Sequence, residues 1–169
     1  INNDIKVMPS YEEFSNAYNS DDGQQLLKDK VTILHCTSEY PAPFDEINLN
    51  ALDNISTEFN LPIGYSDHSS GIIVAVAAVA KGARIIEKHF TIDKNMTGPD
   101  HLSSLNSMEL KEMIKHIRNI EEALGNGRKR PSKSEKLNLK TIRKSLIANS
   151  KISKGEIFTK ENIAIKRPG

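Results

Sequence analysis

Three short apolar runs, each followed by a segment with helical spacing of its apolar residues, constrain this 169-residue chain more than any other feature. Residues 31–36 (VTILHC) read as a buried strand that breaks at Pro41 and Pro43. Leu49, Leu52, Ile55 and Phe59 then mark one face of a helix. The pattern predicts a second strand over 61–65, a small-residue helix over 71–81 stopped by Gly82, and a third strand over 83–90. After a loop with Gly98 and Pro99, Asn106 and Glu109 frame the start of the strongest helix. Its apolar positions Leu110, Met113, Ile114, Ile117, Ile120 and Leu124 recur until Gly125. Strands alternating with helices in this rhythm require a parallel sheet with right-handed crossovers, so the fold class is α/β. Periodicity leaves open whether that sheet is doubly wound or a segment of a (β/α)8 barrel.

Ahead of these units, Ser10 and Glu13 have the spacing of a capping box, opening a helix with Tyr11, Phe14 and Tyr18 on one side. It is expected to end near Asp21, Asp22 and Gly23, or to fray and resume to Lys28. Composition changes at Gly125, which predicts a first domain over 1–125 and a linker over 126–140. Residues 141–169 hold short β-like pieces (SLIANS, IAIK) around Lys154 and Gly155, the beginning of a small β module.

Composition excludes several classes. With 23 basic and 22 acidic residues the net charge is +1, so no global field recruits nucleic acid or an anionic membrane. Arg128, Lys129 and Arg130 lack interleaved aromatics and read as a solvated tether. The longest apolar run, 71–80, falls short of the roughly 20 residues that span a bilayer, and the first residues lack the order of a signal peptide. The cytoplasm is the expected location. A single cysteine, Cys36, excludes an intrachain disulfide framework, so any metal must rest on histidine and oxygen ligands.

Ligands gather at the carboxyl ends of parallel strands, and those ends are polar here. The second strand runs into Ser66, Asp67 and His68, the third into Glu87, Lys88 and His89. Alternation puts Ser66 with His68, and Glu87 with His89. If the two faces coincide, two imidazoles meet on neighbouring strands about 4.8 Å apart. Such a pair can share one divalent cation and leave other coordination positions open, with Glu87 handling a proton and Ser66 donating to a phosphate. The competing reading makes the histidines hydrogen-bonded structural groups and Ser66 a loop residue. Asp67, of opposite parity, is expected to bond backbone. His35 and Cys36 fall inside the first strand and are given no role, the thiol counting as a small hydrophobe. His116 belongs to a charged helix face, and Asp100 is either a helix N-terminal acid or an acceptor for a substrate hydroxyl.

The strings HCTSEYPAPFDEINLNAL, GYSDHSSG, IEKHFT, GPDH and KGEIFTKENIAIKRPG closely resemble the sialic acid synthase family, which includes N-acetylneuraminate and legionaminate synthases. The resemblance covers residues 31–169; nearer the start only Met8 and the following helix correspond. It implies the carboxyl-terminal portion of a (β/α)8 barrel followed by the beginning of an antifreeze-like (SAF) domain, which in a homodimer caps the partner's barrel. The implied activity is condensation of phosphoenolpyruvate with an N-acylated mannosamine-type sugar, using a divalent metal, usually manganese. By that resemblance His68 and His89 are metal ligands and Ser66 a phosphate-binding serine. Glu87 and Asp100 are the acidic residues near the reacting carbons, Tyr40 contacts the sugar, and Arg167 reaches the neighbour's N-acyl group. Ser38 stands where some members carry asparagine near the phosphate.

A whole barrel needs about 250 residues, and the early strands that clamp phosphoenolpyruvate in this family have no counterpart here. The chain is therefore expected to be a portion of a synthase that does not turn over substrate alone. The alternatives are a non-catalytic module binding a sugar or a partner chain and, within the enzyme class, a pseudaminate synthase.

Overall fold

The computed structural model describes residues 10–167. Met8, and Pro168 and Gly169 of the last motif, lie outside the described residues. Up to Gly125 these residues form one compact unit, and from Asn126 onward a second.

In the first unit, α1 (Tyr11–Asn19) opens on a reciprocal cap. Glu13 N donates to Ser10 Oγ at 3.2 Å, and Ser10 N donates to Glu13 Oε2 at 2.5 Å. Where one fraying helix was an option, the chain divides at Ser20. Its extended backbone ends α1, and its hydroxyl accepts from Gly23 N at 3.0 Å to begin α2 (Asp21–Lys30).

β1 (Ile33–Cys36), β2 (Ile63–Asp67) and β3 (Ile86–Lys88) form a parallel sheet in that order. The helix α3 (Ala51–Phe59) joins the first pair of strands, α4 (Ile73–Ala80) joins the second pair, and α5 (Ser107–Leu124) follows. β2 begins later than the sequence predicts and runs further. Pro62 has no N–H for a ladder and serves only as acceptor, from Ile33 N at 3.0 Å. At the other end Asp67 is in register with Lys88. β3 is shorter than 83–90, but Leu105 continues the sheet beside it: Leu105 N donates to His89 O at 2.9 Å and Thr91 N to Leu105 O at 2.8 Å.

The two faces of this sheet differ. Ile63 and Tyr65 of β2 turn toward the helices and join Leu52, Val74, Ala78 and Ala83 in the main core. Leu52 and Tyr65 are fully buried, and burial of such a side chain contributes roughly 1.5–3 kcal/mol. The alanines of α4 bring that helix close to α5, where Ala75 packs with Leu105 and Met113. Leu34, Gly64 and Ile85 meet on the other face: a Cβ built at Gly64 would stand 3.0 Å from Leu34 Cγ and 3.1 Å from Ile85 Cβ. Ile85 is 46% exposed there.

The second unit begins where the expected linker over 126–140 does and places a helix in it. Ser132 and Glu135 form another reciprocal cap, opening α6 (Lys133–Ile142) inside it. A run of charges without a clear apolar stripe reads as a tether, but the cap and residues of good helix propensity give a helix. β4 (Ser145–Ala148) and β5 (Ile163–Lys166) then pair antiparallel, Ser145 opposite Lys166 and Ala148 opposite Ile163. Gly155, at φ 89, makes the turn between them where a Cβ would be strained.

Candidate functional site

The carboxyl ends of β1, β2 and β3 bring together Cys36, Ser66 and Glu87, which occupy matching positions across the sheet. Side chains in register on one face of a sheet are neighbours. Ser66 Oγ accordingly donates to Glu87 Oε1 at 2.5 Å, the serine buried and the carboxylate at the open edge.

Two residues further along each strand direction stand His68 and His89. Their ring centroids are 5.3 Å apart and nearly perpendicular, at 68°. The faces left open by alternation are therefore one face. A ring nitrogen bound to a divalent metal at roughly 2.0–2.1 Å places the ring centre about 3 Å from the ion, so two rings at this separation can grip one ion. Among the described residues no group of three or more His, Cys, Asp and Glu side chains is placed to hold a metal. The two imidazoles would be the protein donors, and the geometry fits an open site rather than a closed structural one.

The loop after β1 is pinned to the end of β2, since Ala42 N donates to His68 O at 2.9 Å. That bond sets Tyr40 over both rings, with centroids 4.3 Å from His89 and 5.3 Å from His68. The Tyr40 hydroxyl is buried and has no hydrogen-bond partner among the described residues. Ser38 lies in the same loop and is exposed. Asp100 Oδ2 approaches His89 Nδ1 to 3.9 Å, with half its side chain in solvent.

The segment carrying Asp100 is tied down at both sides. Thr91 Oγ1 and His101 Nδ1 lie 2.9 Å apart, and Lys94 Nζ donates to Glu109 Oε1 at 2.7 Å. The Lys94 ammonium and the Asn106 N–H hold the Glu109 carboxyl below the usual carboxylate range. Arg167 belongs to the second unit, where it follows β5 and is exposed.

Cys36 requires a correction. Read as a buried hydrophobe, it is the last residue of β1 and is exposed, with Sγ 3.8 and 3.9 Å from the two ring nitrogens of His68. Its parity with Ser66, available once the register is known, is the signal that places it on the open face. His35 turns the other way, and its Nε2 lies 2.8 Å from Ile47 O. His116 is half exposed, 3.6 Å from Glu112. Asp67 also faces away from the site. Its Oδ1 accepts from Ser69 N at 2.8 Å and from Ser69 Oγ at 2.6 Å, while its Oδ2 pairs with Lys88 Nζ at 3.0 Å.

Comparison with known proteins identifies the family. A match to the NeuB family spans residues 6–129. The chain is 54% identical over 141 residues to an N,N'-diacetyllegionaminic acid synthase of Campylobacter jejuni, covering 83% of this chain and 42% of that protein. It is 45% identical over 143 residues to the Legionella pneumophila protein of the same name, covering 85% and 40%. A crystal structure of N-acetylneuraminic acid (sialic acid) synthetase from Leptospira borgpetersenii, solved with citrate, superposes with a TM-score of 0.59 at 35% identity, over 78% of this chain and 45% of that one. The chain thus spans about two fifths of the length of the curated relatives it matches. With the matched family covering most of the chain and the polar strand ends meeting on one face, this protein belongs to the NeuB family of sialic acid synthases.

Proposed function

We propose that this chain carries part of the active site of a sialic-acid-type synthase, which condenses phosphoenolpyruvate with an N-acylated mannosamine-type sugar to a nonulosonic acid and phosphate. The observation that carries the reading is the facing pair His68 and His89, 5.3 Å apart, with the Ser66 and Glu87 pair beside it. The three βα units are then part of a (β/α)8 barrel seen at its carboxyl end, where such enzymes work. The residues from 141 are read as the beginning of a SAF domain. In a homodimer that domain would cap the partner's barrel and bring Arg167 to the neighbour's N-acyl group.

A divalent cation, taken as manganese, would be held by His68 and His89 and supply Lewis-acid polarisation of the sugar aldehyde. Ser66 donates to Glu87 in the structure, so binding a phosphate requires its hydroxyl to turn, which frees the Glu87 carboxylate for a proton. Asp100 lies on the solvent side of His89, placed to accept from a sugar hydroxyl. Tyr40, packed on both rings, forms a wall that limits how the sugar enters, and Ser38 stands near the phosphate. In the net reaction the enol carbon of phosphoenolpyruvate bonds to the aldehyde carbon, water adds to the adjoining carbon, and phosphate leaves. The chain by itself is not expected to turn over, and the cytoplasm is its proposed location. No described helix is long and apolar enough to cross a membrane.

The names of the two relatives favour the acceptor of an N,N'-diacetyllegionaminic acid synthase over that of a pseudaminate synthase. Manganese titration followed by electron paramagnetic resonance tests the site directly. Binding that is lost in both His68→Ala and His89→Ala supports the synthase reading, and binding unchanged in either variant overturns it in favour of a non-catalytic module. Phosphate release by the whole protein from phosphoenolpyruvate, with one acceptor sugar at a time, identifies the substrate.

A further inference from the structure

His68 and His89 stand at the very ends of their strands, where backbone is usually least constrained, yet their rings face each other closely. What holds them lies on the opposite face of the sheet. Asp67 immediately precedes His68, Ser69 immediately follows it, and Lys88 immediately precedes His89. The side chains of Asp67 and Lys88 are 0% and 2% exposed, and Ser69 is 0% exposed.

These three residues form one knot, in which Asp67 Oδ2 faces Lys88 Nζ as an ion pair without hydrogen-bond geometry. The Asp67 carboxylate receives the Ser69 N–H and hydroxyl through Oδ1, and the Lys88 ammonium sits at Oδ2. Lys88 Nζ also donates to the Ser69 carbonyl. The turn after His68 is thereby clamped on both sides and tied across the sheet to the residue before His89.

Two buried charges are a poor means of stabilising a fold, since apolar side chains of similar volume do at least as well. What a connected buried network does supply is a single geometry, here through the two hydrogen bonds to Asp67 Oδ1, the Lys88 bond to the Ser69 carbonyl and the ion pair. We propose that Asp67, Ser69 and Lys88 are positioning residues that fix the separation and facing of the His68 and His89 rings, and so set the affinity of that pair for a divalent cation. The inference rests on the synthase reading for the cation, but the positioning of the rings stands or falls separately.

The test uses the full chain. The double variant Asp67→Leu with Lys88→Met removes both charges together, so it avoids stranding either one. It is expected to fold and to bind manganese roughly tenfold or more weakly, the usual cost of losing support behind a metal ligand. Ser69→Ala, which keeps the ion pair and removes only one hydroxyl, is a milder second variant, expected to weaken binding in the same direction. Long-range nitrogen NMR of the imidazoles reads ring placement without metal: signals of His68 and His89 should move in either variant while that of His116 stays.

Wild-type affinity together with unmoved His68 and His89 signals in the folded double variant would overturn the proposal. Should the double variant fail to fold, the same pair of results in Ser69→Ala overturns it. If the unmodified chain binds no manganese, the cation reading fails, and the NMR shifts alone decide whether the knot positions the rings.

Discussion

Lys88 Nζ lies 3.0 Å from Asp67 Oδ2, with both side chains buried on the face of the sheet turned away from His68 and His89. Stability and site geometry therefore meet at one ion pair. Truncating one partner leaves the other charge buried and uncompensated, at a cost of roughly 3–5 kcal/mol. Lys88→Ala is expected to lose that much in urea denaturation. A loss of less than about 1 kcal/mol, the range of solvent-exposed pairs, would mean that water reaches Asp67.

Gly64 marks the closest approach within the sheet. A methyl group there would come within 2.7 Å of the Ile85 carbonyl oxygen, a backbone atom that moves only with β3. Gly64→Ala should cost about 1–3 kcal/mol, the usual range for overpacking, and push β3 away from β2. Thermal melting measures the loss, and an unchanged melting temperature would show that β3 yields freely.

Tyr65 carries the alkaline limit. Burial, then the Asp67 charge, then Cys36, push its phenol well above the ordinary value. A raised acid constant means that the folded state keeps a proton the unfolded chain gives up. The stabilisation is complete below the ordinary phenol value of about 10 and falls away as pH rises beyond it. The Tyr65 hydroxyl is also buried without a hydrogen-bond partner among the described residues. Tyr65→Phe should leave stability at neutral pH unchanged or raise it by about 1 kcal/mol, and should flatten its decline above pH 10 in a pH series of melts. Parallel declines in both proteins would assign the alkaline loss to another group.

Cys36 stands exposed within 3.8 Å of the His68 ring. Alkylation with iodoacetamide should proceed in the folded chain, and the adduct should weaken manganese binding roughly tenfold or more by crowding the imidazole. Added manganese should in turn slow the alkylation. Full modification with no change in affinity would separate the thiol from the site.

Much of the architecture is written locally. Two capping boxes, Ser10 with Glu13 and Asn106 with Glu109, are read from residues three apart; Ser132 with Glu135 has the same spacing but opens a helix where composition predicts a linker. Ser20 is harder to place, because the same side chain can end one helix and begin another, and only the packing of the two chooses. The strand limits follow partners rather than composition: Pro62 is apolar but cannot join a ladder, while polar Asp67 stays in β2 because Lys88 lies opposite.

By itself the sequence determined the alternation of strands and helices, the period that sets Ser66 with His68 and Glu87 with His89, and the family. These depend on neighbours a few residues apart or on whole motifs. Tertiary structure alone decided that the two pairs share a face, that Cys36 joins them, and that Asp67, Ser69 and Lys88 form a knot behind them. Each of those depends on register between strands some twenty or thirty residues apart, and a slip of one residue in that register would send every side chain to the opposite face.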